Sequence, residues 1–314
     1  MHHPGPDRAC GVGVTMSAGK PVLIIGGNST IGRALSRELR HRGFEVLATT
    51  RRPATAGLRH LTLDLGSPSP PLDKLPGDVR AVVACAAITR EQDCIESPEL
   101  AHQVNVDNTA RVLRLYSERG ARVMFLSTNL VLDGNEPAAT ADAIRRPATV
   151  YGSLKAEMEE ILLSWNSNAA ICRLGKVLHA EQSLLREWRE RLTTRQPVRA
   201  FSDYFLSPVS LGFTVEALTK ILESPGRGVY QMTGSETISY FELAQLCAAT
   251  LDIHNPKIVA ASYQEDQGSV ALAHNPRYTH LDGERLEAEF ALSLESPAAA
   301  VAAALGVPAS PLQE

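Results

Sequence analysis

The sequence predicts an α/β protein built on a doubly wound parallel sheet, with a smaller α/β domain toward the C-terminus. Three observations carry this. Short apolar runs alternate with helical periodicity as far as Leu174. The runs lack the alternating polar positions of a sheet face open to water, so both faces are expected to be covered by helices. A glycine-rich turn joins the first run to the first helix.

Pro21–Gly26 (PVLIIG) forms the first expected strand, and Ile31–Arg42 a helix with Ile31, Leu35 and Leu39 on one face. Phe44–Thr49 and His60–Leu65 supply the next two strands, the latter approached through Leu58. Ser67–Asp78, rich in Pro and Ser, reads as a loop with at most a helical turn. Val79–Ala84 is the fourth strand, Pro98–Gly120 a helix, Ala121–Ser127 the fifth strand, Tyr151–Trp165 a helix and Ala169–Leu174 the sixth strand. Helices then follow over Gln182–Arg195, Leu211–Leu222, Ser239–Thr250 and Pro297–Leu305, with short strands at Gly228–Met232 and Pro256–Ala261. The expected division is a disordered tail over 1–20, a large domain over 21–178 and a smaller one over 179–314, with the 211–222 helix free to pack back on the large domain.

At 314 residues the chain can bury a large core. Its formal charge of −4 and dispersed basic residues argue against a nucleic-acid surface. Cys10, Cys85, Cys94, Cys172 and Cys247 have no ligand spacing, so neither a disulfide framework nor a metal cluster is expected, and the reducing cytoplasm is the expected location. Cys85 and Cys172 sit in apolar runs as small hydrophobes. No apolar run reaches transmembrane length. The first residues lack the apolar core of a signal peptide, and Met16 is a candidate start.

Gly26-Gly27-Asn28-Ser29-Thr30-Ile31-Gly32 is the strongest local pattern. A tight turn between strand and helix presents backbone N–H groups and a helix N-terminus to a pyrophosphate. A ligand-free glycine loop is the plain alternative, which the strand–turn–helix context disfavours. This is the Rossmann-type arrangement. The second strand ends at Thr50 and is followed by Arg51 and Arg52, where an acidic residue would hold the ribose hydroxyls of NAD. Two guanidinium groups suit a ribose 2′-phosphate instead, so NADP(H) is favoured and NAD(H) is the alternative. Asp64 and Leu65 after the third strand, Ala86 and Ala87 after the fourth, and Asn105 on the following helix complete the candidate cofactor set, with plain packing the alternative for Ala86 and Ala87 and a structural bond to backbone the alternative for Asn105 and its neighbour Asn108.

Tyr151 and Lys155, four apart on one helix, share a face. Ser127 and Thr128 end the fifth strand, at the edge where open parallel sheets bind ligands. The combination suits carbonyl reduction. Tyr151 would give a proton to the carbonyl oxygen, and Lys155 would favour the phenolate and hold ribose hydroxyls. Thr128, or less readily Ser127, would hydrogen-bond the carbonyl, while the cofactor carries the hydride. Taken alone, the Tyr–Lys pair is equally an ordinary surface helix.

The glycine loop, Leu126-Ser127-Thr128-Asn129-Leu130-Val131-Leu132-Asp133-Gly134, Tyr151-Gly152-Ser153-Leu154-Lys155-Ala156-Glu157 and later stretches such as DYFLSPVSL from Asp203 resemble the extended short-chain dehydrogenase/reductase superfamily, most nearly its dTDP-4-dehydrorhamnose reductase group. The resemblance covers nearly everything after Lys20. It implies a Thr128–Tyr151–Lys155 triad, NADP(H) or NAD(H) across residues 26–32, 64–65 and 86–87, and a nucleotide-linked 4-keto-6-deoxysugar in a cleft between two domains. It also implies a dimer. The chain departs from the group at Ser29 (usually Gly), Asn129-Leu130 (usually Asp-Tyr), Leu132 (usually Phe) and Arg173–Leu178, which lacks the usual Trp and Tyr. The loop from Gly134 to Pro147 is short of the acidic and aromatic residues expected there. These changes alter the recognition shell and leave the catalytic residues in place.

Asn129, Leu130, Lys176, Arg199 and Tyr204 are candidate substrate contacts, with a surface ion pair the plain alternative for Arg199. Competing functions are a reductase or epimerase of another small carbonyl or sugar, and a cofactor-holding regulatory protein. The last follows from a further resemblance, to the regulatory beta subunit of methionine adenosyltransferase.

Overall fold

The computed structural model describes residues 19–51, 60–165, 168–263, 265 and 278–307. In chain order, β1 (Val22–Ile25), α1 (Thr30–His41), β2 (Val46–Thr50), β3 (His60–Thr62), β4 (Ala81–Ala84), α2 (Glu91–Glu96), α3 (Pro98–His102), α4 (Asn108–Glu118), β5 (Arg122–Thr128), α5 (Val150–Ser164) and β6 (Ala169–Leu174) come first. They are followed by β7 (Lys176–Leu178), α6 (Ser183–Thr193), β8 (Val198–Phe201), β9 (Phe205–Leu206), β10 (Pro208–Ser210), α7 (Leu211–Glu223), β11 (Gly228–Met232), β12 (Ile238–Ser239), α8 (Tyr240–Thr250), β13 (Ile258–Ala261), α9 (Glu284–Phe290) and α10 (Pro297–Leu305).

Seven parallel strands form one sheet in the order β11-β6-β5-β4-β1-β2-β3. Successive residues of each strand point to opposite faces, so a continuous apolar run fills two cores. Leu23, Ile25, Val82 and Phe125 pack with Leu113 and Tyr116 of α4 and Met158 of α5. On the other face, Val22, Ile24, Val83 and Met124 pack with Leu35 and Leu39 of α1 and Leu218 and Ile221 of α7. The fold class is as the sequence predicts.

The helix over 211–222 does lie on the large sheet. So does β11, which pairs in parallel with β6 from Gly228↔Ala170 to Met232↔Leu174. The large sheet therefore draws on two separate stretches of chain and does not end at Leu178. Three two-stranded sheets, β10-β7, β12-β9 and β13-β8, accompany it. A third core gathers Leu185, Trp188 and Leu192 of α6, Leu243 and Cys247 of α8, and Ala300 and Val301 of α10.

The helix expected over Pro98–Gly120 is interrupted. Residues Gln103–Asp107 form a π turn between α3 and α4. The Thr109 hydroxyl donates to the Val104 carbonyl at 2.7 Å, satisfying an acceptor that the wider turn affects. Helix α2, also unexpected, is short and sits just before it.

The strand order reverses at β1, whose neighbours are β2 on one side and β4 on the other. Connections leave this point in opposite directions and open a crevice at the C-terminal ends of β1 and β4. Among the described residues, no helix is long and apolar enough to cross a membrane. Leu218, with no exposed surface in the α7 contact, is a test of that packing: Leu218→Ala is expected to lower stability by about 2–5 kcal/mol, measured by chemical denaturation.

Candidate functional site

The crevice at the strand-order reversal holds a cavity of about 510 Å³, lined by Gly26, Asn28, Ser29, Thr30, Ile31, Thr50, Arg51, Leu65, Ala86 and Ala87 among others. Ten of the predicted cofactor residues thus meet there. Gly26 has φ +84°, and a Cβ on it would lie 2.7 Å from the Ala86 nitrogen. Only glycine gives this turn and this approach to the β4 exit. Ser29, where glycine is usual, has φ −68° and caps α1 by accepting from the Gly32 amide at 3.0 Å. A serine is therefore unstrained here and satisfies one amide of the helix start. Arg51 is exposed at the cavity rim. Arg52 and Leu58 lie outside the described residues.

Some predicted cofactor residues are placed differently. Gly32 packs under the turn. Asp64 Oδ1 accepts from the Gly66 amide at 2.9 Å, and Asp64 does not line the cavity. Asn105 accepts from the Ile88 amide at 2.8 Å and donates to the Ile88 carbonyl at 2.9 Å, so its amide braces the loop after β4. Its neighbour Asn108 braces the opposite rim by donating to the Leu65 and Ser67 carbonyls. Cys85, Ile88 and Thr89 line the cavity and were not anticipated. Cys172 is fully buried, as expected of a small hydrophobe, whereas Cys85 is partly exposed at the cavity, and burial pushes its thiol up to about 12.

Tyr151 and Lys155 are one turn apart on α5. Lys155 is buried, with Nζ 5.7 Å from the Tyr151 ring centroid and 4.4 Å from that of Phe125. It donates to the Leu126 carbonyl of β5 at 2.8 Å. Burial lowers its pKa to about 8, while Cys85, Glu159 and Cys94 act in the opposite sense. Burial, with a smaller effect of Cys94, raises the Tyr151 phenol well above its ordinary range. The start of α5 is fixed by two caps. Thr149 accepts from the Gly152 amide at 3.0 Å, and the Glu91 carboxylate of α2 accepts from the Val150 and Tyr151 amides at 2.8 and 3.0 Å. A Cβ on Gly152 would lie 2.2 Å from the Leu130 carbonyl oxygen, so only glycine lets α5 meet the turn after β5.

Thr128 ends β5, and its hydroxyl accepts from the Leu130 amide at 3.3 Å. Ser127 has another role than the one expected: its hydroxyl donates to Glu159 Oε1 at 2.6 Å within the core. Asn129 lines a second cavity of about 300 Å³, with Asp133, Asn135, Glu136, Arg146, Tyr278 and His280. Leu130 lies in the turn beside it. Lys176 opens β7 with an exposed side chain, and protein crowded around its stem lowers its pKa. Arg199 on β8 lies over the Phe201 ring at 5.6 Å, and Tyr204 is stacked between Tyr240 at 4.9 Å and Tyr263 at 4.5 Å. Neither lines either cavity, and both faces of the Tyr204 ring are already covered.

The profile of the RmlD substrate binding domain family matches residues 20–307. The chain belongs to this family. It is 25% identical over 287 residues to methionine adenosyltransferase 2 subunit beta of Bos taurus, covering 85% of this chain and 81% of the relative. It is 26% identical over 227 residues to the spore coat polysaccharide biosynthesis protein SpsK of Bacillus subtilis, covering 71% and 76%. A dTDP-4-dehydrorhamnose reductase from Bacillus anthracis, solved in complex with NADP, superposes with a TM-score of 0.76 at 18% identity over 90% of this chain and 97% of that one.

Sequence reasoning missed Glu159, Arg173 and Gln231, which are buried together behind Ser127. The available signal was an arginine inside the apolar run AAICRL, since a buried guanidinium requires a partner. Ser127→Ala is expected to lower folding stability by about 1–3 kcal/mol, because Glu159 stays buried with one donor fewer; denaturant titration measures it.

Proposed function

We propose that the chain is an NADP(H)-dependent reductase of a nucleotide-linked sugar carbonyl, most nearly the 4-keto group of a 6-deoxysugar. One joint observation carries this reading. A phenol kept protonated, an ammonium 5.7 Å from its ring and a threonine hydroxyl at the end of β5 share the sheet edge with the glycine-loop cavity. Membership of the RmlD family and the fold likeness to a reductase solved with NADP support it.

The glycine loop and the N-terminus of α1 suit a pyrophosphate, and Arg51 suits a ribose 2′-phosphate. The bound dinucleotide would supply the hydride. The chain's own groups do the rest. Thr128 donates to the carbonyl oxygen and fixes its position. Tyr151 delivers the proton to that oxygen as charge develops, and the Lys155 ammonium stabilises the phenolate left behind. Asn129 and Leu130, next to Thr128, contact the sugar, and Lys176 stands at the same edge.

A second reading, a regulatory subunit that holds the dinucleotide without turnover, is favoured by the likeness to the bovine beta subunit. Loss of NADPH absorbance with dTDP-4-keto-6-deoxyglucose decides between them. Turnover supports the reductase; tight NADPH binding with no turnover across a ketosugar panel sinks it. Product formation without net NADPH loss would instead mark an epimerase.

Tyr151→Phe is expected to lower kcat about 10²–10⁴-fold while NADPH still binds. The rate should fall as pH rises through about 8, where Lys155 loses its proton, and a flat profile across that range would remove Lys155 from the role. Arg51→Glu should raise KM for NADPH by about tenfold or more and leave that for NADH little changed; steady-state kinetics with both cofactors gives the ratio.

A further inference from the structure

A chain of buried polar groups runs from the catalytic strand to the second cavity. Ser127 donates to Glu159 at 2.6 Å. Arg173 of β6 grips the same carboxylate at 2.8 Å through Nη2 and 3.0 Å through Nε. Its Nη1 donates to the Ala141 carbonyl at 3.1 Å and to Gln231 Oε1 at 3.3 Å. The Gln231 amide of β11 then donates to two carbonyls, Ala139 at 2.9 Å and Asp282 at 3.0 Å. Glu159 and Arg173 have no exposed surface, and Gln231 and Ser127 have almost none.

The far end of this chain holds walls, not core elements. Residues 139 and 143 on one segment and 280 and 281 on the other line the second cavity, and the two segments meet in a bridge at Ala139↔Leu281. Arg145, on the first segment, approaches Glu159 at 3.9 Å. The near end holds the strand that carries Thr128 and the helix that carries Tyr151 and Lys155. An apolar replacement for a buried ion pair is often as stable as the pair, so folding stability alone does not explain these residues. Directional bonds do what apolar packing cannot: they specify where two loops sit relative to one strand end.

We propose that Ser127, Glu159, Arg173 and Gln231 form one positioning device, which holds the walls of the second cavity in register with the Thr128–Tyr151–Lys155 corner and thereby places the substrate against it. The proposal rests on the reading of that corner as the reacting one. None of the four touches the reacting atoms; each acts through the walls or the strand end.

Gln231→Leu removes the bonds to Ala139 and Asp282 and leaves the Glu159–Arg173 pair and the Arg173 bond to Ala141. Hydrogen exchange should rise in segments 136–146 and 278–283 and stay unchanged across Gly26–Gly32. KM for dTDP-4-keto-6-deoxyglucose should rise about five- to tenfold, the worth of one lost buried hydrogen bond, with kcat and NADPH affinity within about twofold. Gln231→Glu keeps the oxygen that faces Arg173 but loses both donors, so it should reproduce both effects; it also carries the test if Gln231→Leu does not fold. Unchanged exchange at the two wall segments overturns the proposal. So does a loss of protection spread evenly over the sheet, or a fall in kcat at constant KM. If the wild-type protein turns over no ketosugar, the reductase reading fails, and the exchange measurement alone decides whether the device positions the walls.

Discussion

The candidate site depends on one close approach, that of helix α5 to the turn after β5. A helix backbone comes this near to a carbonyl only where a side chain is missing, and Gly152 against Leu130 is that place. Contact of backbone with backbone fixes the height of α5 on the sheet. The Thr149 and Glu91 caps fix its start, where the unpaired amides and the positive end of the helix dipole favour a carboxylate. The Lys155 bond to the Leu126 carbonyl then ties the next turn to β5. The positions of Tyr151 and Thr128 therefore follow from contacts of α5 with β5 and with the short turn that follows it.

The same helix carries its own electrostatic pattern. Tyr151, Lys155 and Glu159 recur every four residues and form one stripe along the sheet-facing side. Burial acts on the first two in opposite directions, raising the phenol and lowering the ammonium, because each loses its charged form more easily in a poor solvent. Glu159, one turn on, restrains the fall at Lys155, and Arg173 holds its buried carboxylate bidentately. A charge four residues beyond the lysine thus bears on the lysine's protonation without lining either cavity.

Local features were legible in the sequence. The glycine loop, the Tyr–Lys spacing and the apolar strands each depend on neighbours within one or two elements, and they lie where periodicity and turn chemistry place them. What escaped reading depends on partners far along the chain. Ser127 pairs with a helix residue 32 positions away. Tyr204 is covered by rings from α8 and from the segment after β13. Strand β11 is too short for its sequence to say which sheet it joins, and only its pairing with β6 does so. The π turn likewise has no periodic signature, since one extra residue per turn shifts the apolar face without ending it. Arg173 is the exception, a distant partnership announced by a charge in an apolar run.

The departures at residues 129 and 130 fall on this frame in an informative place. The turn is held through its backbone: the Leu130 carbonyl lies against Gly152, and the Leu130 amide donates to Thr128. Neither contact uses the side chain of Leu130. The Asn129 side chain contacts the Thr128 hydroxyl only at 3.4 Å, long for a strong bond, and lines the second cavity. Side chains here can change from acidic to neutral and from phenolic to aliphatic while the corner keeps its shape. The fold therefore keeps two neighbouring sets apart: α5 and β5 set the positions of Tyr151, Lys155 and Thr128, and the side chains of Asn129 and Leu130 stand on backbone that is already fixed.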